Sequence, residues 1–279
     1  METLLEDLKF YKYSGHGNDF VIIDNWDKII REPDLSSTAK LLSRKKYGIG
    51  ADGVVYLAEG PEAADFAARF FNSDGSEASM CGNASRCVAH FAHYHGIAPT
   101  NMTFATRAGF IDATVDGEFV RVQLPGIKGP EGISMVEAGG VSRTFHRINT
   151  GVAHAVTWVE DLDPINVVLE GKNVRYHPSF APGTNVDYVK ILSDNSLVIR
   201  TYEKGVEDET LACGTGCAAA ALLSYHRGLV SNNRIICQTR SGERLVVEFQ
   251  GTPENLEAVF LEGKVRYIFL GQVGPDIFK

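Results

Sequence analysis

Two of the five cysteines in this 279-residue chain, Cys81 and Cys213, stand in matching surroundings nearly half the chain apart. In the first, Phe70-Phe71-Asn72-Ser73-Asp74-Gly75-Ser76-Glu77 precedes Met80-Cys81-Gly82-Asn83. In the second, Tyr202-Glu203-Lys204-Gly205-Val206-Glu207-Asp208-Glu209 precedes Ala212-Cys213-Gly214-Thr215-Gly216. Each unit reads as an aromatic-ended strand, an acidic glycine turn, a glutamate four residues before the cysteine, and Cys-Gly at a helix start. A helix start exposes unpaired N–H groups and about half a positive charge. A thiol placed there is biased toward its reactive thiolate, and the same N–H groups can hold a carboxylate. Two such units facing each other would offer opposed thiols, one to remove a proton from an α-carbon and one to return a proton to its other face.

The elements that must position these groups are mostly strands. In the first half the alternation of apolar residues between Gly, Asp and Asn predicts strands at Leu8–Tyr13, Phe20–Asp24, Val54–Ala58, Phe66–Phe71, Phe110–Val115 and Phe119–Gln123. Helices are predicted at Leu35–Tyr47 and Cys81–His95. The second half predicts strands near Val141–Asn149, Ala153–Val159, Val186–Leu192, Leu197–Tyr202, Ile235–Thr239, Arg244–Gln250, Ala258–Leu261 and Val265–Leu270, with helices at Leu162–Leu169 and Cys213–Arg227. The Gly- and Pro-containing stretch Pro125–Gly140 reads as a linker. An internal duplication explains the repeated Cys-Gly unit, and it predicts two similar domains related by a pseudo-two-fold axis.

The remaining totals exclude several classes. Hydrophobic residues are 44% and charged residues 22%, enough apolar material for a sizeable core. A net charge of −8 argues against a nucleic-acid footprint. The N-terminus, Met1–Asp7, has no basic start, and the longest apolar run, near Cys217–Leu223, is too short to cross a bilayer. A cytoplasmic location is the default expectation. An odd number of cysteines without a C-x-x-C pair points to free thiols, and against a zinc or thioredoxin-type site. Cys87, Cys217 and Cys237 fall in helix or strand interiors and read as small buried hydrophobes.

Five segments together resemble the diaminopimelate epimerase family along nearly the whole chain: Ser14-Gly15-His16-Gly17-Asn18-Asp19-Phe20, Gly48-Ile49-Gly50-Ala51-Asp52-Gly53, Asn72 through Cys87, Pro182-Gly183-Thr184-Asn185-Val186, and Tyr202 through Gly216. The resemblance implies an α/β fold of the α+β type: two pseudo-symmetric domains, each a mixed, mostly antiparallel sheet or barrel around a central helix. Residues 1–126 would form one half, with 271–279 returning to it, and residues 141–270 the other. It implies interconversion of LL- and meso-diaminopimelate without cofactor or metal, on the route to lysine and peptidoglycan. Cys81 and Cys213 would then be the acid and base; which one rests as thiolate stays open. His154 aligns with a histidine near the reacting centre, and Glu203 with an acidic partner that tunes it. Asn18, Asn72 and Asn185 align with groups that hydrogen-bond substrate, and Gly82, Asn83, Gly214 and Thr215 with carboxylate cradles. The resemblance suggests a homodimer.

The chain departs from the family pattern in places. Lys204 stands where many members have Arg, a point charge in place of a two-point donor. One residue more than usual lies between Glu203-Lys204 and Cys213, within Val206-Glu207-Asp208. Val152-Ala153-His154 replaces a frequent Asn-Pro-His, and Gly53 stands where some members have Gln. These changes bear on recognition of the far end of the substrate. Two other readings compete: a proline or hydroxyproline racemase of the same fold, and a thiol redox protein in which Cys81 and Cys213 pair.

Overall fold

The computed structural model describes residues 8–138 and 141–278. Residues 1–7, on which the reading of the N-terminus rests, lie outside the described residues. The chain divides into two compact units: one runs to Val122 and resumes at Gly263, and the other is Gln123–Glu262.

The first unit contains β1 (Lys9–Gly15), β2 (Asn18–Asp24), α1 (Leu35–Ser43), β3 (Gly53–Ala58), β4 (Phe66–Asn72), β5 (Glu77–Ala78), α2 (Gly82–Tyr94), β6 (Asn101–Thr106), β7 (Gly109–Asp116) and β8 (Phe119–Gln123). The second contains β9 (Ile127–Ala138), β10 (Val141–Thr150), β11 (Ala153–Trp158), α3 (Val167–Arg175), β12 (Asn185–Ser193), β13 (Ser196–Glu203), β14 (Asp208–Thr210), α4 (Gly214–His226), β15 (Arg234–Gln238) and β16 (Arg244–Thr252). The last strand, β17 (Asn255–Gln272), starts in the second unit and ends in the first.

In the first unit β1 pairs antiparallel with β2, β2 parallel with β3, β3 antiparallel with β4, and β4 parallel with β6. The hairpins β6–β7 and β7–β8 follow. β17 pairs with both β8 and β1, closing an eight-strand barrel that leaves no open edge. The second unit repeats the scheme in order: β10–β11 antiparallel, β11–β12 parallel, β12–β13 antiparallel, β13–β15 parallel, then β15–β16 and β16–β17 antiparallel. β9 pairs with β10 as β17 pairs with β1.

The strands of each unit wrap one helix. Residues of α2 are buried on every side, from Asn83 to Ala89 and again at Phe91 and Ala92, and the helix packs on β1, β2, β3 and β7. Gly216 through Ser224 of α4 are all buried, against β10 to β13, β15 and β16. A helix apolar all round belongs in a core, and the Ala218–Ala221 run lets the surrounding strands come close. Among the described residues no helix is long and apolar enough to cross a membrane.

Three sequence expectations change. Of the Pro125–Gly140 stretch, Ile127–Ala138 is strand β9, which pairs along β10 with positive φ at Gly126 and Gly132 and register shifts near Ile148, while Gly139 and Gly140 lie outside the described residues. The helix expected at Leu162–Leu169 begins later, at Val167. Pro164 precedes it, and the Asn166 side chain caps the helix by accepting the Leu169 N–H at 3.0 Å. Leu162 and Ile165 are buried from the preceding loop instead. The two strands expected at Ala258–Leu261 and Val265–Leu270 are one continuous strand.

Candidate half-sites at the two central helices

Cys213 is the N-cap of α4, with extended backbone (φ −120°, ψ 110°), and its carbonyl accepts the Cys217 N–H at 3.0 Å. Its Sγ accepts the Gly216 N–H at 3.4 Å and lies 3.4 Å from Thr215 Oγ1. The thiol is buried at 7% exposure. The helix end alone does not leave it a ready thiolate: burial pushes the thiol well up, and the charges of Glu203 and Asp187 push it further, against smaller opposing contributions from Thr215 and Gly216.

The flanking groups come from one row of the sheet. His154 on β11 is the Cα partner of Asn185 on β12, and Glu203 lies one step beyond the Val186–Tyr202 partnership of β12 and β13. His154 Nδ1 is 2.7 Å from Asp187 Oδ2, with both side chains fully buried. His154 Nε2 lies 3.0 Å from Thr215 Oγ1 and 3.3 Å from Asn185 Nδ2. Asn185 Oδ1 accepts the Lys204 N–H at 2.7 Å, so its amide nitrogen is the end turned to the imidazole. Nε2 is therefore an acceptor, and Nδ1 carries the proton given to Asp187. Burial raises the Glu203 carboxyl above its usual range, with Thr210 and His154 opposing.

Asp187 has no place in the sequence reading. Its one signal is an acidic residue inside the apolar run Val186–Ile191, two positions from Asn185 and so on the same strand face. Lys204 extends its ammonium to the Gly183 carbonyl at 3.4 Å. The turn after it is organised by Glu207, a non-glycine residue at φ 59°. Its carboxylate accepts from Gly205 N–H at 3.0 Å, from Tyr202 Oη at 3.2 Å and from Arg175 Nη2 at 3.2 Å.

In the first unit Cys81 is the N-cap of α2 (φ −139°, ψ 119°), more open than Cys213, and its carbonyl accepts the Ser85 N–H at 2.8 Å. Asn83 Nδ2 donates to Asn18 Oδ1, Asn18 Nδ2 to Asp52 Oδ2 at 3.2 Å, and the buried Arg86 Nη2 to Asn83 Oδ1 at 2.7 Å. Asn18 and Asn83 thus share one chain of hydrogen bonds. Asn72 is set apart in the turn, donating to Ser76 Oγ at 3.0 Å. Beside it, a Cβ on Gly53 would fall 2.7 Å from the Phe71 carbonyl, so a longer residue here needs a backbone shift.

The glutamates four residues before the cysteines do not join the thiols. Glu77 is held by Arg69 and Arg107, and Glu209 by Arg200 and Arg240. Cys87 and Cys217 are fully buried within α2 and α4 and Cys237 within β15, and burial pushes the Cys87 thiol up to about 12. Among the described residues no group of three or more His, Cys, Asp or Glu is arranged to hold a metal.

A cysteine at the head of a buried helix, in each of two units with one pairing scheme, defines the class. The fold is shared with a probable proline racemase from Agrobacterium radiobacter K84, at TM-score 0.72 and 17% identity over 96% of this chain and 93% of that one. It is also shared with a hydroxyproline epimerase from Agrobacterium vitis, at TM-score 0.70 and 16% identity with the same coverage. The diaminopimelate epimerase family model matches residues 10–125 and 147–268. Diaminopimelate epimerase of Aquifex aeolicus is 42% identical over 98% of this chain and all of its own length, and that of Chlorobaculum tepidum 40% identical over 93% and 99%. The chain belongs to the diaminopimelate epimerase family, and so to the isomerases.

Proposed function

We propose that this protein interconverts LL- and meso-diaminopimelate by two-thiol proton transfer, in the cytoplasm and as a homodimer. The observation that carries this reading is the pair of Cys-Gly helix starts, with Thr215 and Gly216 at the Cys213 thiol and the Asn18–Asn83 hydrogen-bond chain at the start of α2. One cysteine, as thiolate, takes the α-proton from one face of the substrate carbon. The other, as thiol, gives a proton to the opposite face, and the roles exchange in the reverse direction. An α-proton beside an ammonium group and a carboxylate is weakly acidic. The N–H groups that open α2 and α4, around Gly82-Asn83 and Gly214-Thr215, are suited to stabilise charge as it builds on the carboxylate. Asn18, Asn72 and Asn185 would take the substrate's remaining polar groups and Lys204 the distal amino-acid end, while Glu203 would orient and tune the site beside Cys213.

The test is exchange of the α-proton in deuterated water, with meso-diaminopimelate as substrate and proline as control. Exchange with diaminopimelate is expected, and epimerisation is expected to be lost in both Cys81→Ala and Cys213→Ala. Exchange with proline alone would move the chain to the racemase reading, and a reversible Cys81–Cys213 disulfide without any turnover to the redox reading.

A further inference from the structure

We infer that Asp187, His154 and Thr215 form a proton relay that takes the proton from Cys213, with Thr215 Oγ1 as the bridge. The inference rests on the two-thiol reading for its purpose, but its geometry lies wholly within the second unit. Cys213 Sγ and His154 Nε2 are each within hydrogen-bond reach of the same hydroxyl, at 3.4 and 3.0 Å. The direction of the chain is fixed at its far end. Asn185 presents its amide nitrogen to Nε2 because its oxygen is taken by the Lys204 N–H. Nε2 is then the acceptor, Thr215 donates to it, and the free lone pairs of Oγ1 face the thiol. Asp187 Oδ2 receives Nδ1–H at 2.7 Å, while Thr201 Oγ1 donates to Oδ1 at 2.7 Å.

The step balances without any outside group. The S–H proton passes to Oγ1 as the Oγ1 proton passes to Nε2, leaving thiolate and imidazolium, with Nδ1–H still held by Asp187. No net charge is created in the buried cluster. That matters because the charged groups around this thiol are mostly acids. Glu203 faces it from β13 and Asp187 from β12, Lys204 turns its ammonium to Gly183, and α4 contributes only its N–H groups. A thiolate formed by losing its proton to water would sit beside two carboxylates in a desolvated site. Formed by the relay, it has an imidazolium as neighbour.

The relay makes a prediction opposite to that of simple charge repulsion. Removing the Asp187 charge should ease Cys213 ionisation if only repulsion acts. In Asp187→Asn, however, Thr201 holds the amide oxygen, so the NH2 faces Nδ1 and drives the imidazole proton onto Nε2. That breaks the relay. The experiment is the rate of Cys213 alkylation by iodoacetamide against pH, resolved by peptide mass spectrometry on the full-length protein without substrate. Thr215→Val and Asp187→Asn should both move the midpoint upward, slowing alkylation at neutral pH on the order of tenfold per unit of displacement, while Thr215→Ser stays near wild type. An unmoved midpoint in Thr215→Val, or a downward one in Asp187→Asn, overturns the relay. Because the thiol is read without substrate, a wild-type protein with the relay profile but no diaminopimelate exchange would refute the proposed function and leave the relay standing.

Discussion

Arg200 and Glu209 meet through two parallel hydrogen bonds, Nε to Oε1 at 2.7 Å and Nη2 to Oε2 at 2.8 Å, with Glu209 four residues before Cys213. Arg240 adds a third contact at 2.6 Å, and the carboxylate is only 3% exposed. Arg69 and Arg107 hold Glu77 in the same way before Cys81, at 2.6, 2.9 and 2.7 Å. These carboxylates fix the short strands β5 and β14, and with them the chain that delivers each cysteine to its helix.

Breaking one such clamp leaves charge buried without its partner, which costs about 3–5 kcal/mol. We expect Glu209→Gln to lose stability toward the lower end of that range, since Arg200 and Arg240 keep some access to water. Urea denaturation at neutral pH measures it. Retention of wild-type stability would mean that the clamp is ornamental. Glu77 adds a pH dependence: its carboxyl is lowered, chiefly by Arg69. Its contribution is present above the usual carboxylate pKa and is lost as pH falls through the folded-state value.

Gly216 sits in the first turn of α4, where alanine would ordinarily favour the helix by about 0.8–1.0 kcal/mol. Here a Cβ would fall 2.7 Å from Asp187 Oδ1 and 3.2 Å from Thr201 Oγ1. Gly216→Ala should therefore displace Asp187 from His154 and lower kcat/KM on the order of 100-fold, the cost of about 1 Å of misplacement. Steady-state kinetics with diaminopimelate decide the matter; a fully active variant would show that the Asp187 contact is dispensable.

Glu203 has the opposite pH signature to Glu77. Its carboxyl is raised by burial, so the folded state holds that proton more tightly than the unfolded chain does. The penalty is absent below the unfolded pKa, appears as pH rises through the interval up to the folded value, and is complete above it. Glu203→Gln removes it. We expect this variant to melt higher than wild type at pH 8, with the difference shrinking toward zero near about pH 4, while turnover is lost. Parallel melting curves at all pH values would contradict the assignment.

The loop after Glu203 makes a separable prediction. Glu207 holds a left-handed backbone that costs an ordinary residue about 1–2 kcal/mol, and its carboxylate ties Gly205, Tyr202 and Arg175 together. In Glu207→Gly the relieved backbone offsets part of the lost bonding, so stability should change by only about 1 kcal/mol. Lys204, released from a fixed turn, should raise KM for diaminopimelate more than it lowers kcat. An unchanged KM would place this loop outside the binding site.

The paired cysteines, and the helix that follows each, are legible because Cys-Gly after a strand and an acidic turn carries a local physical meaning. The Asn, His and Glu positions are legible only through the family. Asp187 and Arg86 are scarcely legible: one is an acid in an apolar strand, the other a base in a helix, and both usually face water. Their burial is decided by partners distant in sequence, His154 and Thr201 for one and His16 for the other. The strand character of Ile127–Ala138 is hidden for a related reason. Glycine and proline weaken the local signal, and the pairing that overrides it comes from β10.

Strand β17 has a consequence for dissection of the chain. It gives Asn255–Glu262 to β16 and Val265–Gln272 to β1. A fragment ending at Val122 would contain α2 and Cys81 yet lack the strand that joins β8 to β1, leaving two hydrophobic seams open to other copies. Neither half can be liberated by a single cut with its wall complete. The two thiols are in this sense inherited together: splitting the gene at its apparent midpoint would yield one leaky vessel and one with a trailing thread.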